Sequence, residues 1–435
     1  MPVSHATPTL DQLGVVFDDT HAVASAGLLL PATLAARLGI EQTADELIDL
    51  GDRAGAVRPG RKVATLVHAM VAGADCIDDV EVLRCGATTQ MLGHRVMAPS
   101  TIGTFLRAFS FGHVRQLDRL TEQILGRAWA AGAGPGDGPM TIDLDSTICE
   151  VHGHAKQGAA YGYTRQLGYH PLLATRADTG ELLHARLRTG RAHTARGAPR
   201  FIDELAARVR RTGATGQLTV RADSGFWSVK VIRRLRRGKF RYSITVRLTR
   251  PVRQAIAAIP DNAWIDIGYP DSGVAQVAEA RFRGDRLIVR RTRHHTGPQG
   301  ELFPAWQYHA FVTDRPGTAI ELDADHRRHA VVELAIRDLK AGAGLAHLPS
   351  GKFNANAAWL VLATLAHNLI RWVAALGLAA AGTVVAKTVR RTLLALPGRL
   401  TRSARRWTLH LPAGWPWAFS FTHALARLRC IPYTT

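Results

Sequence analysis

Thr141-Ile142-Asp143-Leu144-Asp145-Ser146-Thr147 decides the fold. Apolar Ile142, Leu144 and Ile148 alternate with polar Asp143, Asp145 and Thr147, the two-residue period of a half-buried strand. Both aspartates therefore share one face, about 6 to 7 Å apart. Burial does not account for acid at that edge; a cation does.

Working outward, the first strand is read over 140–151, followed by a loop rich in Gly and Tyr over 158–168. Strands at 170–177 and 182–188 flank the turn Asp178-Thr179-Gly180, a hairpin pattern. A helix over 198–211, a strand over 217–223, a basic helix over 228–237 and a strand over 240–248 come next. Three strands, helix, strand, helix, strand predicts an α/β protein with a mixed sheet, its first and fourth strands central. Residues 251–313 change character, with four strand patterns at 264–267, 274–282, 286–293 and 307–312 separated by Gly, Pro and Asp turns: a β-rich insertion. A helix over 326–340 with Asp325 as its cap and an apolar helix from 354 complete the core.

Upstream, 63–71 has helical spacing, and Pro99-Ser100-Thr101 before Ile102, Phe105 and Leu106 reads as a capped helix start. Such a set of short helices holds either a DNA-reading helix-turn-helix or an ordinary packing unit. The Gly/Ala/Pro segment 130–139 marks a boundary. The expected division is 1–135 helical and DNA-binding, 136–250 first part of the catalytic core, 251–313 insertion, 314–380 core completion, and 381–435 basic C-terminal region.

Composition narrows the function. The 435 residues, 46% hydrophobic, suffice for real cores. Lys plus Arg number 55 against 35 Asp plus Glu, a net charge of +20, so a polyanion is the natural partner. The 4 cysteines form no C-x-x-C pair, which fits a reducing compartment and argues against structural zinc. The N-terminus MPVSHATPTL has no secretory pattern, and the longest apolar stretch, 357–381, is interrupted by His367, Asn368 and Arg371. It reads as a buried helix and not as a membrane span. The expected location is the cytoplasm, with no membrane partner.

Three acids stand out. Asp145 lies on the first strand, Asp223 closes the fourth at the carboxyl edge where open α/β sheets bind ligands, and Glu333 lies on the later helix. Around Glu333, the residues His326, His329, Arg337 and Lys340 share its helical stripe, a pattern that a salt-bridged exposed helix would also show. Together the acids would hold two Mg²⁺ or Mn²⁺ ions about 3.5 to 4 Å apart, with the neighbouring cations on phosphate. The paired histidines His152/His154 and His294/His295 read as loop residues.

The residues Asp143-Leu-Asp-Ser-Thr147, Lys156-Gln-Gly-Ala-Ala-Tyr-Gly162 with Tyr169-His-Pro-Leu-Leu173, Val220-Arg-Ala-Asp-Ser-Gly-Phe226 and Glu333 to Lys340 resemble the DDE transposases of bacterial insertion sequences. The resemblance is to the cut-and-paste group with a ribonuclease-H-like core and a β-strand insertion between the second and third acids, and runs from about residue 10 to about 415. It implies that Asp145, Asp223 and Glu333 are the catalytic, metal-binding acids, with Asp143 an outside candidate. The family's helix pattern is Tyr, two residues, Arg, three residues, Glu, six residues, Lys. Here Glu333 and Lys340 keep the spacing, but His326 and His329 occupy the Tyr and Arg positions, with Arg328 beside the latter. The resemblance further implies cleavage of element-end DNA and joining of the 3′-hydroxyl to a target, by dimers in a synaptic complex in a nucleoid-associated setting. An insertion aromatic, Trp306 or Trp264, would stack on a flipped base where a hairpin forms. Two alternatives stay open: a non-catalytic DNA-binding protein of this fold, and a nuclease without strand transfer. The basic helix Lys230, Arg233, Arg234, Arg236, Arg237 and the tail Arg390 to Arg406 add candidate phosphate contacts.

Overall fold

The acid-bearing stretch forms β1 (Met140–Ser146), the pivot of a mixed sheet with β2 (Leu172–Arg176), β3 (Leu182–Arg186), β4 (Leu218–Ala222) and β5 (Phe240–Thr245). This computed structural model describes residues 10–434 except 154, 163–164, 269–272, 295–305 and 381; His154 and His295 fall outside the described residues. The strand order is β3-β2-β1-β4-β5. β1 is antiparallel to β2 and parallel to β4, and β4 is parallel to β5. Parallel neighbours need a crossover, supplied by α1 (Ala198–Arg211) before β4 and α2 (Val229–Arg237) before β5. The protein is mixed α/β with β1 and β4 inside, as the order of elements requires.

The insertion holds α3 (Arg250–Ala257), β6 (Ile265–Ile267), β7 (Gly273–Phe282), β8 (Asp285–His294) and β9 (Gln307–Thr313). α3, with Pro at its N-terminal turn, is an element the periodicity did not reveal. These strands continue the central sheet: β9 pairs antiparallel with β5, Phe311 opposite Thr245 and Thr313 opposite Ser243. The result is a 9-stranded sheet. Without β9, β5 would expose a row of unpaired backbone groups. At the β7–β8 turn Arg283 and Gly284 both have positive φ, 53° and 87°, the turn geometry that matches strand twist.

Three local expectations change. The strand expected over 140–151 stops at Ser146, and Cys149–Glu150 joins Ala160–Tyr161 and Leu167–Tyr169 in a separate three-stranded sheet. The helix at Pro99 has no side-chain cap; Ala98 occupies that position. The helix expected over 326–340 is two helices, α4 (Ala319–Arg327) and α5 (Val332–Gly342), separated by the 3₁₀ turn Arg328–Val331. α4 begins at a capping box: Thr318 Oγ1 accepts the Glu321 N–H at 3.3 Å, and the Glu321 carboxylate accepts the Thr318 N–H at 2.9 Å. Asp325 is no cap but lies inside α4, its carboxylate paired with Arg315 and, at 3.5 Å, with Arg221.

α6 (Phe353–Trp372) is the core helix, long and apolar enough to cross a membrane, yet 89% of its apolar window is buried in protein. It packs against β3 on one side and against the helices Pro59–Ala72 and Phe111–Ala128 on the other, within one continuous apolar core. Its polar interruptions satisfy backbone. Asn368 accepts the Leu182 N–H and donates to the Leu182 carbonyl, both at 2.8 Å, closing part of the outer edge of β3. His367 Nε2 lies 2.9 Å from the Gly180 carbonyl, and Arg371 pairs with Asp338 at 2.9 Å.

Candidate active site

β1 and β4 run parallel with Leu144 opposite Ala222, so the next register positions, Asp145 and Asp223, sit side by side at the carboxyl edge. Glu333 projects from the first turn of α5, over the same face. Asp145 is pushed up to about 6, mainly by burial and also by the charges of Asp223 and Glu333, against the lowering effects of the Ser146 N–H and His329. Asp223 and Glu333 therefore both lie near enough to act on Asp145. Asp145 accepts the Ser146 N–H at 2.6 Å, and Asp223 accepts the Gly225 N–H at 3.0 Å. A Cβ at Gly225 would meet Thr194 at 2.7 Å, so the turn that orients Asp223 demands glycine.

Among the described residues no Lys or Arg pairs with Asp145, Asp223 or Glu333; the nearby cations are committed to Asp143, Asp325 and Asp338. Three carboxylates without a counter-ion, offering oxygen alone, fit a hard divalent cation. The ligand oxygens of the three acids do not all lie within 4.8 Å of one another, a spacing that Asp75, Cys76 and Asp79 meet among the described residues.

One pleat behind lies a buried charged layer. Arg221 donates Nε and Nη2 to the two oxygens of Asp143 at 2.8 and 2.9 Å, with both side chains almost wholly buried. His329 Nδ1 lies 2.8 Å from Asp143 Oδ1. Asp143, the outside candidate, is thus fully engaged and turned away from solvent. Register explains the pair: Asp143 stands opposite Arg221 on the same face of adjacent parallel strands. Sequence reading met Arg221 as part of the Val220–Phe226 motif and missed this partner.

The expected phosphate stripe is divided by the 3₁₀ turn. His326 is 4% exposed, its nitrogens 2.7 Å from Ser243 Oγ and 2.9 Å from Thr245 Oγ1, its ring stacked 4.0 Å from Phe311. It has no nitrogen left for DNA, a correction to the expected contact. His329 is held by Asp143, and Lys340 donates to the Ile148 carbonyl at 2.7 Å, beneath the end of β1. Arg328 and Arg337 are exposed and, among the described residues, without an ion pair. Trp306 is half-buried and stacked: Arg291 lies 4.4 Å and Arg293 4.9 Å from its ring centre, and Arg291 lies 4.1 Å from that of Trp264.

Behind Asp223, Arg188 fastens the loop 189–197, donating to the carbonyls of His170, His193, Thr194 and Arg196 at 2.8, 3.2, 2.7 and 2.8 Å. Sequence reading passed over it because one Arg at the end of a strand carries no pattern. Lys156 donates to the Leu348 carbonyl and so ties the small sheet to the segment before α6. In the basic helix, Arg236 is taken by Asp285 and Tyr242 and Arg234 by Asp203, while Lys230, Arg233 and Arg237 remain exposed. Arg390 of the tail is interior, donating to the Met70, Val71 and Gly342 carbonyls.

A family model described as transposase DDE domain group 1 matches residues 9–433. Among curated proteins no match is found. Among solved structures, the chain is similar to a piggyBac transposase in a synaptic complex with hairpin DNA, at 12% identity, covering 85% of this chain and 79% of that one, with a TM-score of 0.46.

Proposed function

Because the chain belongs to the DDE transposase family, as a member of transposase DDE domain group 1, and is a DNA-cleaving enzyme, we propose that Asp145, Asp223 and Glu333 are its catalytic acids. They hold two divalent ions, Mg²⁺ or Mn²⁺, on a core of ribonuclease-H-like type. The ions supply Lewis-acid activation of the attacking hydroxyl and charge stabilisation of the leaving oxygen. The protein's own part is positioning. Asp145 and Asp223 are fixed by parallel strand register, and Glu333 is brought over them by α5. The Asp143–Arg221–His329 layer keeps the strand face rigid behind them. Arg328 and Arg337, exposed on either side of Glu333, bind the phosphates flanking the scissile bond.

The substrate is double-stranded DNA, the ends of an insertion sequence and its target, cut and joined by a homodimer in the bacterial cytoplasm. One observation carries this reading: three acids remote in sequence act at one place, and among the described residues no Lys or Arg pairs with them. Asp145→Ala, Asp223→Ala and Glu333→Ala should each lower excision of an end-flanked donor by about a thousandfold or more, as loss of a residue acting within a catalytic unit does. End binding should remain. A triple-alanine protein that still excised the element would sink the assignment.

A further inference from the structure

The loop 189–197 runs from the end of the β2–β3 hairpin to the start of α1, and one side chain gathers it. Arg188, just beyond β3, is anchored at the end of the sheet by a reciprocal pair: its Nε donates to the His170 carbonyl at 2.8 Å, and its own carbonyl accepts the His170 N–H at 3.2 Å. From that anchor Nη1 reaches the carbonyls of His193, Thr194 and Arg196 at 3.2, 2.7 and 2.8 Å. His170 adds a tie of its own, its Nδ1 donating to the Ala192 carbonyl at 2.7 Å.

For a mere fastener the choice of residue is unfavourable. Arg188 is 8% exposed, and among the described residues no carboxylate pairs with it. Its bonds run to backbone oxygens, and Nη2 is buried without a partner among the described residues. Burial, with the like charge of Arg196, pulls its pKa down to about 10, so the group stays cationic at neutral pH. A buried cation with no counter-charge destabilises a fold, and local strain of that kind clusters where function needs a fixed placement.

The placement in question is the turn after β4. The Thr194 side chain lies so close over Gly225 that a Cβ there would meet its Cβ and Cγ2 at 2.7 Å. Gly225 in turn donates its N–H to Asp223 Oδ1 at 3.0 Å. A line of contacts therefore starts at Arg188, passes through Thr194 and Gly225, and ends on the Asp223 carboxylate. Burial lowers the His170 pKa, Arg188 lowers it further and Asp223 raises it, so both charges lie near that one ring.

We propose that Arg188 is a positioning residue of the candidate active site: by gathering the carbonyls of His193, Thr194 and Arg196 it seats Thr194 against Gly225 and so fixes the direction of the Asp223 carboxylate. The inference rests on the assignment of Asp223 as a catalytic acid. The competing role is that the loop serves only to present its exposed cations, Arg191 and Arg196, to DNA.

Arg188→Lys, Thr194→Gly and Asp223→Ala in the full chain separate these roles, read by Mn²⁺ titration calorimetry without DNA and by steady-state cleavage of end DNA. Lysine keeps the charge but lacks the planar fork that holds several acceptors in fixed directions. Arg188→Lys should weaken about fivefold the Mn²⁺ binding that Asp223→Ala abolishes, and should lower kcat about tenfold at unchanged KM for DNA, since a displacement of about 1 Å at a reacting group costs up to about a hundredfold. Thr194→Gly removes the covering side chain and leaves Arg188 in place. It should move the same quantities in the same direction, by about threefold, and it decides the matter if Arg188→Lys does not fold. Unchanged Mn²⁺ affinity and kcat in the folded variants, with or without a higher KM, overturn the proposal. Cleavage retained by Asp223→Ala would instead overturn the assignment of Asp223, and the role of Arg188 with it.

Discussion

Asp143 and Asp145 occupy the same face of one strand two residues apart, yet their surroundings are opposite. Asp143 is buried between a two-pronged Arg221 and His329, while Asp145 faces Asp223 and Glu333 with, among the described residues, no Lys or Arg paired to it. The first arrangement is self-sufficient. The second leaves its carboxylates without a paired Lys or Arg among the described residues, which suits the divalent cation proposed for it. On the proposed assignment a strand face carries structure and catalysis in alternate pleats, and partner identity, not residue type, separates them.

The sharpest way to break this contrast is to remove each aspartate in turn and measure urea unfolding. Asp143→Ala leaves Arg221 buried without a counter-charge and should cost about 3 to 5 kcal/mol. Asp145→Ala relieves like-charge crowding and should leave stability unchanged or slightly higher. Equal losses at the two positions would erase the distinction drawn between them.

The same logic extends to the far edge of the sheet, where Asn368 resembles Asp143 in being polar, buried and satisfied. Asn368→Leu strands the Leu182 N–H and carbonyl in an apolar setting and should destabilise by about 2 kcal/mol. A neutral result would mean that β3 finds other partners.

Glu181 sharpens the comparison from a third side. It is buried, accepts from the indole N–H of Trp129 at 3.1 and 3.0 Å and of Trp372 at 2.5 Å, and burial pushes its pKa up to about 7 from an ordinary 4.5. The fold thus binds this proton more tightly than the unfolded chain. The associated stability is fully present below pH 4.5 and is lost as pH rises through about 7. Glu181→Gln should flatten the stability profile between those values, by at most about 1.4 kcal/mol per pH unit. Parallel wild-type and variant profiles would show that Glu181 ionises freely in the fold.

Much of the fold is legible in the linear chain. Period-two alternation locates β1 and β4 with their acids, helical spacing locates α1 and α2, and the order of elements places β1 and β4 inside the sheet, because hydrophobic periodicity is a local property. The box Thr318-x-x-Glu321 is equally legible, and it puts the cap of α4 at Thr318, upstream of the cap expected at Asp325. What needs the tertiary structure is the sorting of charges. Arg221 becomes the partner of Asp143 only when parallel register sets them side by side. His326 is withdrawn from solvent only because Ser243, Thr245 and Phe311 come from strands far away in the chain. The insertion strands join the central sheet only because β5 offers an unpaired edge. By itself the sequence determined the elements and which acids stand at strand ends. The folded structure alone decided which charges are neutralised and which are left to bind something else, since electrostatic partnership depends on distance in space and on burial, and a linear pattern encodes neither.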